Sequence, residues 1–104
     1  MTNAPTQGLA PTHPGEILRE DVFPALGKPK AEIARSLGIS RQSLYEIINE
    51  RQPVTAPMAL RIGKLCGNGP EIWLRLQEKW DLHLAAIDLA GELADIPTLS
   101  EAAA

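Results

Sequence analysis

Residues 31–49 constrain the fold more than any other part of the chain. They read Ala31-Glu32-Ile33-Ala34-Arg35-Ser36-Leu37-Gly38-Ile39-Ser40-Arg41-Gln42-Ser43-Leu44-Tyr45-Glu46-Ile47-Ile48-Asn49. Ile33, Leu37, Leu44, Ile47 and Ile48 recur at helical spacings, which predicts two short helices over roughly residues 30–37 and 41–49 with these side chains inward. Ala34 sits where the helices must cross closely, and its small side chain permits the approach. Gly38 follows the last apolar residue of the first helix, the place where a left-handed residue ends a helix. Ile39 plugs the turn, and the Ser40 hydroxyl caps the second helix by accepting from an otherwise orphan amide.

The outward side of the second helix carries different chemistry. Arg41, Gln42, Ser43, Tyr45, Glu46 and Asn49 lie on or beside the surface left free by Leu44, Ile47 and Ile48. Arginine forks onto guanine and glutamine pairs with adenine at the major-groove edge. In a helix-turn-helix the first residues of the second helix reach the bases. Ser40 and the free amides beside it suit phosphate oxygens. Lys30, at the start of the first helix, and Arg51, just past the second, are expected at the DNA backbone. Glu46 has two readings, a cytosine amine acceptor or a salt-bridge partner of Arg41 or Lys30. An ordinary helical hairpin with a solvated polar face is the alternative to the whole reading. It does not account for Ala34, Gly38, Ile39, Ser40, Leu44 and Ile47 at the required offsets.

The 104 residues allow one domain with a modest core. Strand alternation is absent, so the fold is expected to be all-α. The net charge of −3 argues against a protein that coats nucleic acid indiscriminately. Between residues 28 and 51 the balance turns slightly basic, with Lys28, Lys30, Arg35, Arg41 and Arg51 against Glu32, Glu46 and Glu50. Two copies acting together would compensate for weak nonspecific affinity. The one cysteine, Cys66, excludes an intrachain disulfide and reads as a buried thiol. No run reaches membrane-spanning length and the N-terminus lacks a secretory pattern, so a cytoplasmic location is expected.

Along the chain, residues 1–12 read as a flexible tail, 13–94 as the domain and 95–104 as a second tail. A first helix is expected from His13-Pro14, with Pro14 in its first turn, Leu18 and Val22 docking on the core, and Pro24 ending it. Thr55 caps the fourth helix, to which Met58, Leu60, Ile62 and Leu65 bring apolar contacts. Gly63 within that helix points to a close approach. Gly67-Asn68-Gly69 is a stop signal. A long last helix is expected over residues 70–94. Its Trp73, Leu76, Trp80, Leu84 and Ile87 form a stripe widened by Leu74, Leu82 and Leu89, more apolar surface than capping a small core requires. Part of that stripe is expected to meet a second subunit.

Three segments carry a family resemblance. His13-Pro14-Gly15-Glu16-Ile17-Leu18, residues 31–49, and Glu71-Ile72-Trp73-Leu74-Arg75-Leu76-Gln77 through Trp80-Asp81-Leu82 resemble the HigA antitoxins. These form a branch of the Cro/phage-repressor (XRE) helix-turn-helix superfamily, and the resemblance covers roughly residues 13–85. It implies five helices, the last one long, a homodimer, and a toxin partner, typically an mRNA-cleaving ribonuclease. It also implies repression of the protein's own operon at a palindromic site on double-stranded DNA. Arg41, Gln42, Ser43 and Glu46 match base-facing positions, and Ser40, Lys30 and Asn49 match positions near phosphates. Pro29 replaces a Ser or Thr cap, leaving the start of the first motif helix to proline's fixed φ. Glu50 replaces a common Gly, so Asn49 is expected to take the left-handed turn. Pro53 stiffens the next loop.

No catalytic constellation, cofactor motif or metal-ligand spacing is found. His13 and His83 are lone, and Glu16, Glu20 and Asp21 form a solvated acidic face. The competing functions are a stand-alone transcriptional regulator and a protein-interaction module without DNA binding.

Overall fold

The structure, a computed structural model, describes residues 10–99. Most of the two expected tails lies outside them. Among the described residues there are helices and no strands. A first helical stretch runs through α1 (Pro14–Ile17), a π-helical turn (Leu18–Val22) and α2 (Phe23–Leu26). It is followed by α3 (Lys30–Leu37), α4 (Arg41–Ile48), α5 (Ala56–Cys66), α6 (Glu71–Asp88) and α7 (Ala90–Asp95).

Pro24 does not end the first helical stretch. Proline lacks an N–H and crowds the preceding turn. The π-helical turn ahead of it is wider, closed by Phe23 N–H donating to the Leu18 carbonyl, and the helix continues to Gly27. The expected last helix is divided at Leu89, whose N–H donates to Ala85 O. α7 then starts afresh.

The core draws on the π-helical turn and on every helix from α2 to α6. Leu18, Phe23, Ile33, Ala34, Leu37, Leu44, Ile47, Ile48, Val54, Ala59, Ile62 and Trp73 are all buried. Each such Leu or Ile contributes about 1.5–3 kcal/mol from removal of apolar surface from water. Ile39 is half-buried against this core, as a turn plug requires. Leu60 is exposed on α5 and contributes nothing to it. Cys66 is half-buried, and burial pushes its thiol pKa up, away from the reactive thiolate.

Polar groups fix how the helices sit. His13 is buried and caps α1, its Nδ1 accepting from Gly15 N–H at 2.9 Å. Its ring meets Trp80 of α6 edge-on, with centroids 5.3 Å apart. Gly15 then lies against the Ile47 carbonyl of α4, so closely that a Cβ there would overlap it. Gly63 of α5 likewise leaves room for the Gly69-Pro70 corner, the close approach expected of it. Gln77 of α6 is buried, accepting from Val54 N–H at 2.7 Å and donating to Asp81 at 2.9 Å. Arg61 of α5 donates to the Leu37 carbonyl at 2.7 Å and satisfies the end of α3.

Two kinds of outcome are expected, the first from glycine substitutions. Gly15→Ala should cost about 1–3 kcal/mol in chemical denaturation, because the added methyl meets backbone that cannot yield. Gly91→Ala in α7, where a Cβ meets open space, should be neutral or stabilise by up to about 1 kcal/mol. The second concerns pH. Burial lowers the His13 pKa below the ordinary value near 6.5; nearby Glu50 and Asp81 oppose the shift and Arg19 adds to it. Stability from the neutral imidazole is complete above pH about 6.5 and is lost as pH falls through the lower folded value. His13→Asn, which keeps a capping oxygen, should flatten that part of the stability profile measured by thermal melts across pH 5–8.

Candidate nucleic-acid interface

The second helix of the motif, α4, is held at one end and open at the other. At the open end Ser40 has extended backbone (φ −75°, ψ 157°) and its Oγ accepts from Ser43 N–H at 3.0 Å. The same hydroxyl donates to Ser43 Oγ at 3.0 Å. Because Ser40 takes the third amide of α4, the N–H groups of Arg41 and Gln42 remain directed out of the helix end. Arg41 and Gln42 themselves are exposed. Ser43 and Glu46 are half-buried, while Tyr45 and Asn49 are exposed. Among the described residues Glu46 pairs with neither Arg41 nor Lys30, so its carboxylate keeps its acceptor capacity.

Leu44, Ile47 and Ile48 anchor the opposite side of α4 in the core. The preceding turn follows the expected chemistry. Gly38 is left-handed (φ 76°), Gly38 N–H donates to Arg35 O, and Ile39 N–H donates to Ala34 O. Pro29 opens α3 with no side-chain cap, its carbonyl taking the N–H groups of Glu32 and Ile33. Lys30 is exposed in that first turn.

The far end of α4 departs from expectation. Asn49 does not turn left-handed; its φ is −93°. Glu50 does, with φ 64°. Glu50 N–H donates to Ile47 O and Arg51 N–H to Glu46 O, the paired closure that needs one left-handed residue between them. A left-handed non-glycine residue costs roughly 1–2 kcal/mol. The Glu50 carboxylate is engaged by Arg19 Nη1 at 3.2 Å. Arg51 follows, exposed.

Sequence reasoning missed some residues beside this surface. Gln52 and Thr55 share a shallow cleft of about 170 Å³ with Ser43, Glu46, Ile47, Pro53 and Met58. Thr55 caps α5 by accepting from Met58 N–H. Only the Thr55 capping signal was legible in the sequence. The membership of Gln52 depends on how the loop after Glu50 folds back on α4.

The expected interface stripe on α6 splits. Trp73 is removed from it: its ring is buried in the domain core and its indole N–H donates to Asn68 at 3.2 Å. Leu76 and Trp80 are half-buried, the latter against His13. Leu84 and Ile87 continue the same side of the helix past the end of the core and are exposed, as are Leu82, Leu89, Leu93 and Ile96. Among the described residues no helix is long and apolar enough to cross a membrane.

No model of a protein family matches the chain. Individual proteins do. Antitoxin HigA-1 of Vibrio cholerae is 32% identical over 72 residues, 69% of this chain and 68% of that protein. The solved structure of antitoxin GraA is 39% identical, with a TM-score of 0.80 over 88% of this chain and all of GraA. GraA has also been solved in complex with its operator. Pseudomonas aeruginosa antitoxin HigA, solved with the higBA promoter, is 30% identical, with a TM-score of 0.80 over 86% of this chain and 99% of that one. Agreement at this level over nearly the whole length of each solved relative leads to one assignment: the chain belongs to the HigA family of helix-turn-helix antitoxins.

Proposed function

We propose that this protein is a cytoplasmic, non-enzymatic antitoxin that neutralises a partner toxin and, as a homodimer, represses its own operon by reading a palindromic operator. The observation that carries the DNA-reading part is the α4 tip, where Arg41 and Gln42 stand exposed on a serine-capped helix end. The operator and promoter complexes of GraA and the Pseudomonas HigA support it from similar chains on the same fold.

In this reading Arg41, Gln42, Ser43 and Glu46 face base edges, with Tyr45 beside them. Ser40, the free α4 amides, Lys30, Asn49 and Arg51 take the backbone. Gln52 and Thr55 adjoin the same surface across the cleft. A helix N-terminus with its partial positive charge suits a chain whose net charge is −3, because affinity then rests on directed contacts rather than on bulk charge. The free carboxylate of Glu46 accepts from a cytosine amine and disfavours thymine or phosphate at that position.

Dimerisation brings two α4 tips to successive major grooves about one DNA turn apart. Leu84 and Ile87, with the half-buried Leu76 and Trp80, form the apolar surface assigned to that contact. Leu84 and Ile87 are 47% and 63% exposed and stand on one helix side with the half-buried pair, so the four together offer a contiguous apolar stripe of the kind that marks an interaction site.

Arg41→Ala and Gln42→Ala are each expected to cost about 1–3 kcal/mol of operator binding and to relax preference at one base pair. Mobility shifts on the protein's own promoter DNA measure this. An unchanged affinity in the double variant overturns the DNA-reading assignment, and absence of any sequence-specific shift favours a pure protein-interaction module. Lys30→Ala should weaken all sequences alike and reduce the salt slope by about one. Leu84→Asp/Ile87→Asp should convert the protein to a monomer in sedimentation and weaken operator binding while α4 stays folded.

A further inference from the structure

A reading helix delivers specificity only if its axis is held. α4 has eight residues, so it is about 12 Å long. A tilt of about 10° at its C-terminal end displaces the N-terminal tip by about 2 Å, which is enough to break hydrogen bonds that need separations near 3 Å. What holds the C-terminal end therefore bears on what the other end reads.

Arg19 is the side chain at that end. It lies on the π-helical turn, and its Nη1 donates both to the carbonyl of Ile48, the last residue of α4, and to the Glu50 carboxylate. Its Nε donates to Glu20 at 2.9 Å. The guanidinium is thus committed to protein groups on both sides, one third exposed, with the π-helical turn and the end of α4 joined through it. Glu50 is the left-handed residue that closes α4, and its carboxylate is ion-paired with Arg19. Gly15, four residues before Arg19, seats the same first helix on the Ile47 carbonyl.

We infer that Arg19 is a positioning residue for base recognition. It holds Glu50 left-handed and anchors the terminal carbonyl of α4, and so sets the tilt at which Arg41 and Gln42 meet the bases without itself touching DNA. This rests on the DNA-reading function proposed above. It adds that the specificity determinants extend to the first helix, on the opposite end of α4 from the bases.

The test uses full-length Arg19→Ala, Arg19→Lys and Arg19→Ala/Glu50→Gly. Each is assayed well below its melting temperature on the protein's own operator and on the same operator with one substituted base pair per half-site. Arg19→Ala should lower the operator-to-mismatch preference about tenfold with the salt slope unchanged, the loss expected when one bidentate base contact is misaligned. Glu50→Gly should restore most of that preference, because glycine adopts the left-handed turn unaided. Arg19→Lys, with a single ammonium, should fall between wild type and Arg19→Ala, and it carries the test should Arg19→Ala not fold. In DNA-free protein the amide resonances of residues 41–43 should move in Arg19→Ala and return in the double variant. A preference ratio that stays constant while the melting temperature falls, or tip resonances that do not move, overturns the proposal and marks Arg19 as merely structural. A reduced salt slope overturns it by making Arg19 a phosphate contact. Wild-type protein with no operator preference overturns the DNA-reading function itself, and the resonance readout then reports separately on the mechanical link.

Discussion

The backbone contact between Gly15 and the Ile47 carbonyl governs the geometry of this molecule. It requires the absence of a side chain at one position, and it places the start of the first helix directly on the helix that carries the proposed DNA-reading residues. Around it lie the groups that keep the first helix in register. Pro14 starts the helix and the neutral His13 imidazole accepts the Gly15 amide from one side. The Trp80 ring meets that imidazole edge-on. A short run of four residues therefore serves packing, capping and helix placement together. This explains in physical terms why His13-Pro14-Gly15-Glu16 works as an opening motif, although none of these residues lies at the proposed DNA surface.

The same economy governs the two ends of α4. The N-terminal end is satisfied by one hydroxyl and otherwise left open. The C-terminal end is satisfied completely, by the closure at Glu50 and by Arg19. An interface that must present donors to a ligand needs one open end, and an open end is useful only where the other is fixed. The acidic net charge fits this division. In the proposed reading, recognition is concentrated in a few directed groups, and the rest of the surface has no need to attract a polyanion.

Much of this was legible in the sequence. Leu44, Ile47 and Ile48 announced the buried side of α4 by their spacing, and Gly38, Ser40 and Thr55 announced the turn and the caps by local chemistry. Local signals of this kind survive folding because they act within four or five residues. The misreadings share the opposite property. Pro24 looked like a stop because the π-helical turn that accommodates it leaves no composition signal. Asn49 looked like the left-handed residue because its intrinsic preference is better than that of Glu50. The Glu50 carboxylate meets Arg19, thirty-one residues away in sequence, a contact that no local signal announces. Trp73 and Trp80 looked equivalent on a helical stripe, but the domain core ends between them, and only the fold shows where. His13 looked like a lone histidine because its partners are a backbone amide and a distant ring.

Gln77 bears on how the halves of the protein communicate. One carboxamide grips the loop that follows the recognition helix, through Val54, while its nitrogen grips Asp81 one turn further along α6. The long helix and that loop thus share a rivet. A protein clamped onto the outer turns of α6 would hold a helix that is tied, through this one side chain, to the chain segment bordering the proposed DNA surface.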